Sequence, residues 1–217
     1  MASSEFLEPA YFVESDHPDI VAFATEACGD ASTDAERARR LFRTVRDRFR
    51  YDPYTISPRR EDYRASSILK QSRAYCVTKA VVLCAAARAV GIPSRLGFAD
   101  VRNHLSSEKL RQAMQTDLFV FHGYTELWID GQPLKVSPAF NAELCVRVGV
   151  EPLEFDGRHN ALLHAFDGQG HTYMEYLHDR GCYVDLPFDE MIDAFVTTYG
   201  QVELHRPGTQ PDDVFQR

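Results

Sequence analysis

The sequence predicts an α+β domain in which a cysteine-bearing helix packs on an antiparallel β-sheet. Three observations predict it. Residues 76–90 carry Cys76, Ala80, Leu83, Cys84 and Ala87 at helical three- and four-residue steps. Gly91 and Pro93 then end that helix. Residues 118–140 read as paired strands, with Asp130-Gly131 as a two-residue hairpin turn between a β-branched and aromatic run and a second run at 132–136.

Composition excludes several function classes. A net charge of −8 with no lysine-rich run argues against nucleic acid as a partner. The first residues, MASSEFLEPAYFVESD, lack the basic segment and apolar core of a secretory signal, and no apolar run approaches membrane-crossing length. The five cysteines, Cys28, Cys76, Cys84, Cys145 and Cys182, are scattered, odd in number and free of any C-x-x-C pair. That pattern speaks against a disulfide framework and a structural zinc site, so a soluble, cytoplasmic, reducing setting without a membrane partner is expected.

Taken in order, residues 1–15 read as an arm or edge strand around Tyr11, Phe12 and Val13. Asp16 is the expected cap of a short helix with Pro18 in its first turn, closed by Gly29. Thr33 and Glu36 form a capping box, and Leu41, Phe42, Val45 and Phe49 give the next helix its buried face. Its arginine-rich opposite face reads as solvated and paired with acids. Asp52-Pro53 and Ser57-Pro58 make residues 51–60 a loop, followed by a short helical stretch at 65–70. After the cysteine helix come a strand at 95–101 and a short polar helix or excursion at 106–115. A further strand is expected near 173–176, and Pro187 introduces a last helix carrying Phe188, Met191, Ile192 and Phe195, closed by Gly200.

The chemistry centres on Cys76 and His122. A cysteine in a first helical turn sits among unpaired N–H groups at the positive end of the dipole, which favours thiolate. Any single cysteine can instead be a small core residue, and Cys84, in the middle of the apolar stripe, suits that reading. If Asp130 and Gly131 are the loop, Glu126 faces Lys135 and Tyr124 faces Ser137, on one polar side of the sheet with His122 and Trp128. Thr125, Leu127, Ile129, Leu134 and Val136 form the apolar side. A strand histidine can be a simple hydrogen-bonder, but a thiol at a helix start and an imidazole on a strand are the two parts of cysteine nucleophilic catalysis.

Tyr75-Cys76-Val77-Thr78-Lys79-Ala80, followed by Arg88-Ala89-Val90-Gly91-Ile92-Pro93-Ser94-Arg95, resembles the transglutaminase-like core, a branch of the papain-like cysteine enzymes. His122-Gly-Tyr-Thr-Glu-Leu-Trp is similar to the family's histidine strand, and Val136-Ser137-Pro138 stands where many members have Val-Asp-Pro. The resemblance covers roughly residues 40–141. Chain length makes the protein most simply one domain, over residues 1–205, with a C-terminal elaboration at 142–205 where the resemblance fades, and the polar, Pro- and Gly-containing run at 206–217 reads as a flexible tail. The resemblance implies Cys76 as nucleophile, His122 as general acid/base and Ser137 at the orienting position, where serine supplies a hydrogen bond but no charge. Asn141 is a neutral alternative orienter, and Gln71 is a candidate oxyanion donor beside the Cys76 N–H. Tyr75, Arg95, Tyr124 and Trp128 are the substrate-binding candidates.

The reading is acyl transfer on an amide bond through a thioester, first of all hydrolysis of a peptide or a small amide. Amide-forming transfer to an amine, and a non-catalytic binding module on the same fold, are the two alternatives. His159, His164, His171 and His178 with Cys182 fit no metal-ligand spacing, and no EF-hand-like acidic loop is present, so neither a metal nor another cofactor is expected.

Overall fold

A computed structural model describes residues 3–104, 108–162 and 174–200. In chain order the elements are α1 (Pro18–Cys28), α2 (Asp34–Arg48), β1 (Arg50–Tyr51), α3 (Ala65–Leu69), β2 (Arg73–Ala74), α4 (Cys76–Ala89), β3 (Ser94–Asn103), α5 (Glu108–Met114), β4 (Leu118–Ile129), β5 (Gln132–Val136), α6 (Ala142–Val148), β6 (Met174–Tyr183) and α7 (Phe188–Tyr199). The main sheet has the order β5-β4-β3-β6 with every neighbour antiparallel, and β1 and β2 form a small parallel pair. Among the described residues no helix is long and apolar enough to cross a membrane.

α4 is the centre of the fold. It was expected to bury one stripe, but every residue from Cys76 to Arg88 is buried. The reason is that α1, α2 and α3 pack on one side of it while β3 and β4 cover the other. Two cations are carried inside with it. Arg88 is satisfied at the helix end by the carbonyls of Ser94, Glu8 and Val184, at 2.6 to 3.0 Å.

Local chemistry explains the flanking helices. Pro18 occupies the first turn of α1, so the cap falls on His17 rather than the expected Asp16, and the His17 ring accepts from the Asp19 N–H at 3.2 Å. Thr33 caps α2 by accepting from the Glu36 N–H at 3.2 Å. The basic face of α2 pairs with acids, Arg40 with Asp30 and Glu36, and Arg43 with Glu154. Arg46 departs from that picture, since it is buried and held by Asp47, Glu154 and the Leu153 carbonyl. Phe12 and Val13 form no strand, and their N–H groups donate to the Asp185 carboxylate.

The hairpin register pairs Glu126 with Lys135 and Leu127 with Leu134. Asp130 and Gly131 both have positive φ, 51° and 79°, as a type I′ turn requires. The apolar side faces α4, where Thr125 Oγ1 donates to the Ala80 carbonyl at 3.1 Å. The opposite side is less wet than alternation implies. Tyr124 and Glu126 are buried there, Arg95 pairs with Glu126 at 2.8 Å, and Phe6 lies on Trp128 with ring centroids 4.8 Å apart.

β4 approaches the start of α4 closely at Gly123. A Cβ added to Gly123 would stand 2.8 Å from Val77 Cα and 3.1 Å from Val77 N, against backbone that cannot swing aside. We therefore expect Gly123→Ala to destabilise the fold by about 1–3 kcal/mol, the usual cost of overpacking, read as a lower urea midpoint at unchanged slope. An unchanged midpoint would mean that β4 and α4 are not held this closely.

Candidate active site

Cys76 is the first residue of α4, and Tyr75 before it is extended, with its N–H donating to Thr78 Oγ1 at 3.0 Å. This cap fixes the helix start and with it the position of the sulfur. Burial pushes the Cys76 thiol up to about 11, opposed by backbone hydrogen bonds from Gly123, Val77 and Cys76 itself. The helix-start argument alone predicts the opposite direction. Desolvation is the larger effect because the side chain is almost wholly enclosed.

His122, on β4, lines the same cavity as Cys76. Its Nε2 lies 3.4 Å from Ser137 Oγ, a long contact. Burial lowers the imidazole to about 4, and no carboxylate opposes that shift. Ser137 is itself held by its N–H donating to the Ala161 carbonyl at 2.8 Å. The hydrogen bonds of the described residues include none between Cys76 and His122. The two groups thus rest as neutral thiol and neutral imidazole.

Simple strand alternation does not explain how His122 reaches this cavity. Between the pairs Ala99–His122 and Val101–Phe119 the register shifts, leaving one extra residue on β4. Phe121 takes φ 55°, its N–H donates to Asp100 Oδ1 at 3.1 Å, and Arg180 both bonds Asp100 and lies over the Phe121 ring at 4.4 Å. Residues Phe119 to His122 all line the cavity as a result. The strained turn sits immediately before the imidazole, braced by an ion pair.

Sequence reasoning passed over Lys79, one turn along α4 from Cys76. It is fully buried, and its Nζ donates to the Arg46 carbonyl at 2.8 Å and the Ala139 carbonyl at 2.7 Å. It therefore ties the end of α2 to the segment that follows Ser137. Burial lowers its ammonium to about 7, with Asp47 the largest opposing charge. The available signal was a lone lysine in an otherwise apolar helical run.

The other sequence candidates divide. Tyr75 lines the cavity, its hydroxyl donating to the Tyr63 hydroxyl at 3.0 Å. Asn141 is turned to the backbone, accepting from the Tyr51 N–H at 3.0 Å. Gln71 is exposed and lines a separate, broader cleft with Arg59, Asp62, Arg73 and Thr78. Arg95, Tyr124 and Trp128 belong to the far side of the sheet and are not among the residues lining the Cys76 cavity. Of the C-terminal histidines, His159 pairs with Asp156 at 2.6 Å and His178 lies opposite Asp100 in the sheet. His164 and His171 lie outside the described residues.

The sequence profile of the transglutaminase-like superfamily matches residues 21–136. Among solved structures, a candidate cysteine protease from Cytophaga hutchinsonii aligns with a TM-score of 0.53 and 16% identity, covering 86% of this chain and 48% of its own. The chain therefore spans about half the length of that protein, and at this identity the likeness is one of fold. A candidate protease from Parabacteroides distasonis aligns at TM-score 0.42 and 15% identity over 60% of this chain and 28% of its own. Red sea bream transglutaminase aligns at 0.35 and 16% over 55% and 26%. No curated protein matches the chain significantly.

The lowered imidazole carries a pH signature. A histidine that titrates near 4 when folded and near 6.5 when unfolded contributes its full stability above pH 6.5 and loses it as pH falls toward 4. The difference corresponds to about 3 kcal/mol. Urea unfolding of wild type and His122→Gln should therefore give stability curves whose gap closes by roughly that amount between pH 7.5 and pH 4. Parallel curves would mean that the ring is solvated and free to protonate.

Proposed function

Because the chain belongs to the transglutaminase-like superfamily, we propose that it is a cysteine-dependent enzyme that cleaves an amide bond through a thioester on Cys76, with water as acceptor. The observation that carries this reading is that Cys76, opening α4, and His122, on β4, line one cavity, with Ser137 Oγ 3.4 Å from the ring Nε2.

With Ser137 on Nε2, Nδ1 is the nitrogen left to take the thiol proton. Sulfur attacks the carbonyl carbon as that proton moves, since neither charged partner is favoured at rest. The backbone N–H groups at the start of α4 then donate to the oxyanion. Collapse breaks the C–N bond, His122 returns the proton to the leaving amine, and water attacks the thioester in the reverse sequence. Ser137 accepts from the Nε2–H of the transient imidazolium without neutralising it, a weaker stabilisation than a carboxylate provides.

One observation favours a second reading, a binding module without catalysis: the raised thiol and lowered imidazole are the state of an ordinary buried pair. Incubating the protein with a peptide library in ¹⁸O-water together with a labelled primary amine separates the possibilities. The proposal expects ¹⁸O in new carboxyl termini and an acyl adduct on Cys76, abolished in Cys76→Ala. His122→Ala should lower turnover at least about 100-fold, and Ser137→Ala about 10-fold. Label in new amide bonds would indicate amide-forming transfer. A folded protein with no adduct and no turnover would leave the binding module.

A further inference from the structure

The cavity that holds Cys76 and His122 has a largely apolar wall. The empty space between its lining atoms is about 580 Å³ with the open solvent at its mouth included, so it is a narrow site. Beyond the reacting pair, its far wall is assembled from five separate elements: Leu110 and Met114 of α5, Phe119 of β4, Met174 of β6, Phe195 of α7, and Phe140 from the segment after β5. No charged side chain lines it among the described residues. Its polar lining besides the reacting pair is Asn103 and three tyrosines, Tyr51, Tyr75 and Tyr199, of which Tyr199 accepts from the Val120 N–H at 2.8 Å and Tyr75 donates to Tyr63. Charged groups near the helix start instead line the separate cleft containing Arg59, Asp62 and Arg73, which includes neither Cys76 nor His122.

We infer that the group placed on Cys76 is an apolar acyl chain, aliphatic or aromatic, whose side chain occupies this cavity. The inference rests on the thioester reading given above. A carboxylate, ammonium or carboxamide side chain would lose its hydration against this wall and recover few hydrogen bonds, a cost that selects against it. An apolar chain instead gains from every Å² it removes from water. Because α5, β6 and α7 all contribute, the selecting wall is built largely from chain that lies beyond the cysteine helix.

Activated esters test the selection apart from the amide-cleaving step. In each, Cys76 Sγ bonds to the carbonyl carbon, the C–O bond breaks and p-nitrophenolate leaves. The p-nitrophenyl esters of acetate, hexanoate, phenylacetate and hemisuccinate would be compared on the wild-type protein. Acylation of Cys76 would be followed by peptide mass spectrometry, and each rate divided by that of N-acetylcysteine with the same ester. The expected result is hexanoyl or phenylacetyl transfer at least about 10-fold faster than succinyl, a ratio that desolvation of one charged group easily supplies, with both apolar rates falling in His122→Ala. Acylation of Cys76 that depends on His122 but shows equal or faster succinyl transfer would overturn the apolar selection and leave the thioester reading intact. Failure of every ester to acylate Cys76 in the folded protein would overturn both.

Discussion

The site depends on one close approach, the passage of β4 across the start of α4 with only hydrogen at Gly123 between them. That contact lets the strand backbone bond the Cys76 sulfur, and it brings the residue before Gly123, His122, to the cavity that the cysteine opens. Thr125, two residues on, bonds the α4 carbonyl at Ala80 and continues the same seam. Helix and sheet are thus joined along a line whose first point is the candidate nucleophile.

Burial sets the chemical state of that junction. A helix start offers the sulfur unpaired N–H groups, yet enclosure costs a thiolate more than those donors return. The imidazole is under the same constraint in the opposite sense, with a serine rather than a carboxylate at Nε2. In the proposed reaction the proton therefore moves with the attack rather than before it. Lys79 places a buried cation one turn away, and its two carbonyl acceptors connect α2 to the segment carrying Ser137.

The bulge at Phe121 is the second device. Period-two alternation would place His122 with Tyr124 and Glu126 on one side, whereas residues Phe119 to His122 all reach the cavity. A left-handed residue is costly away from glycine, and here Asp100 and Arg180 hold it by a hydrogen bond, an ion pair and a cation over the ring. The brace joins β3, β4 and β6, so the orientation of the imidazole is a property of three strands.

What the sequence by itself determined are the features whose cause is local. Gly91 and Pro93 end the cysteine helix, Thr33 caps α2, and Asp130-Gly131 sets a type I′ turn whose register places Glu126 against Lys135. Cys76 at a helix start and His122 on a strand were legible for the same reason, as was the family resemblance carried by the residues around them. Only the tertiary structure decided the rest. Whether α4 shows one stripe or is buried all round depends on three other helices and the sheet, and so does the fate of Lys79 inside it. Arg95, Tyr124 and Trp128 share a strand neighbourhood with His122 in sequence, yet sheet geometry sends them to the opposite side of the molecule's core layer. The direction in which the thiol and imidazole shift was likewise beyond reading from neighbours in the chain, because desolvation is summed over atoms brought in from distant segments.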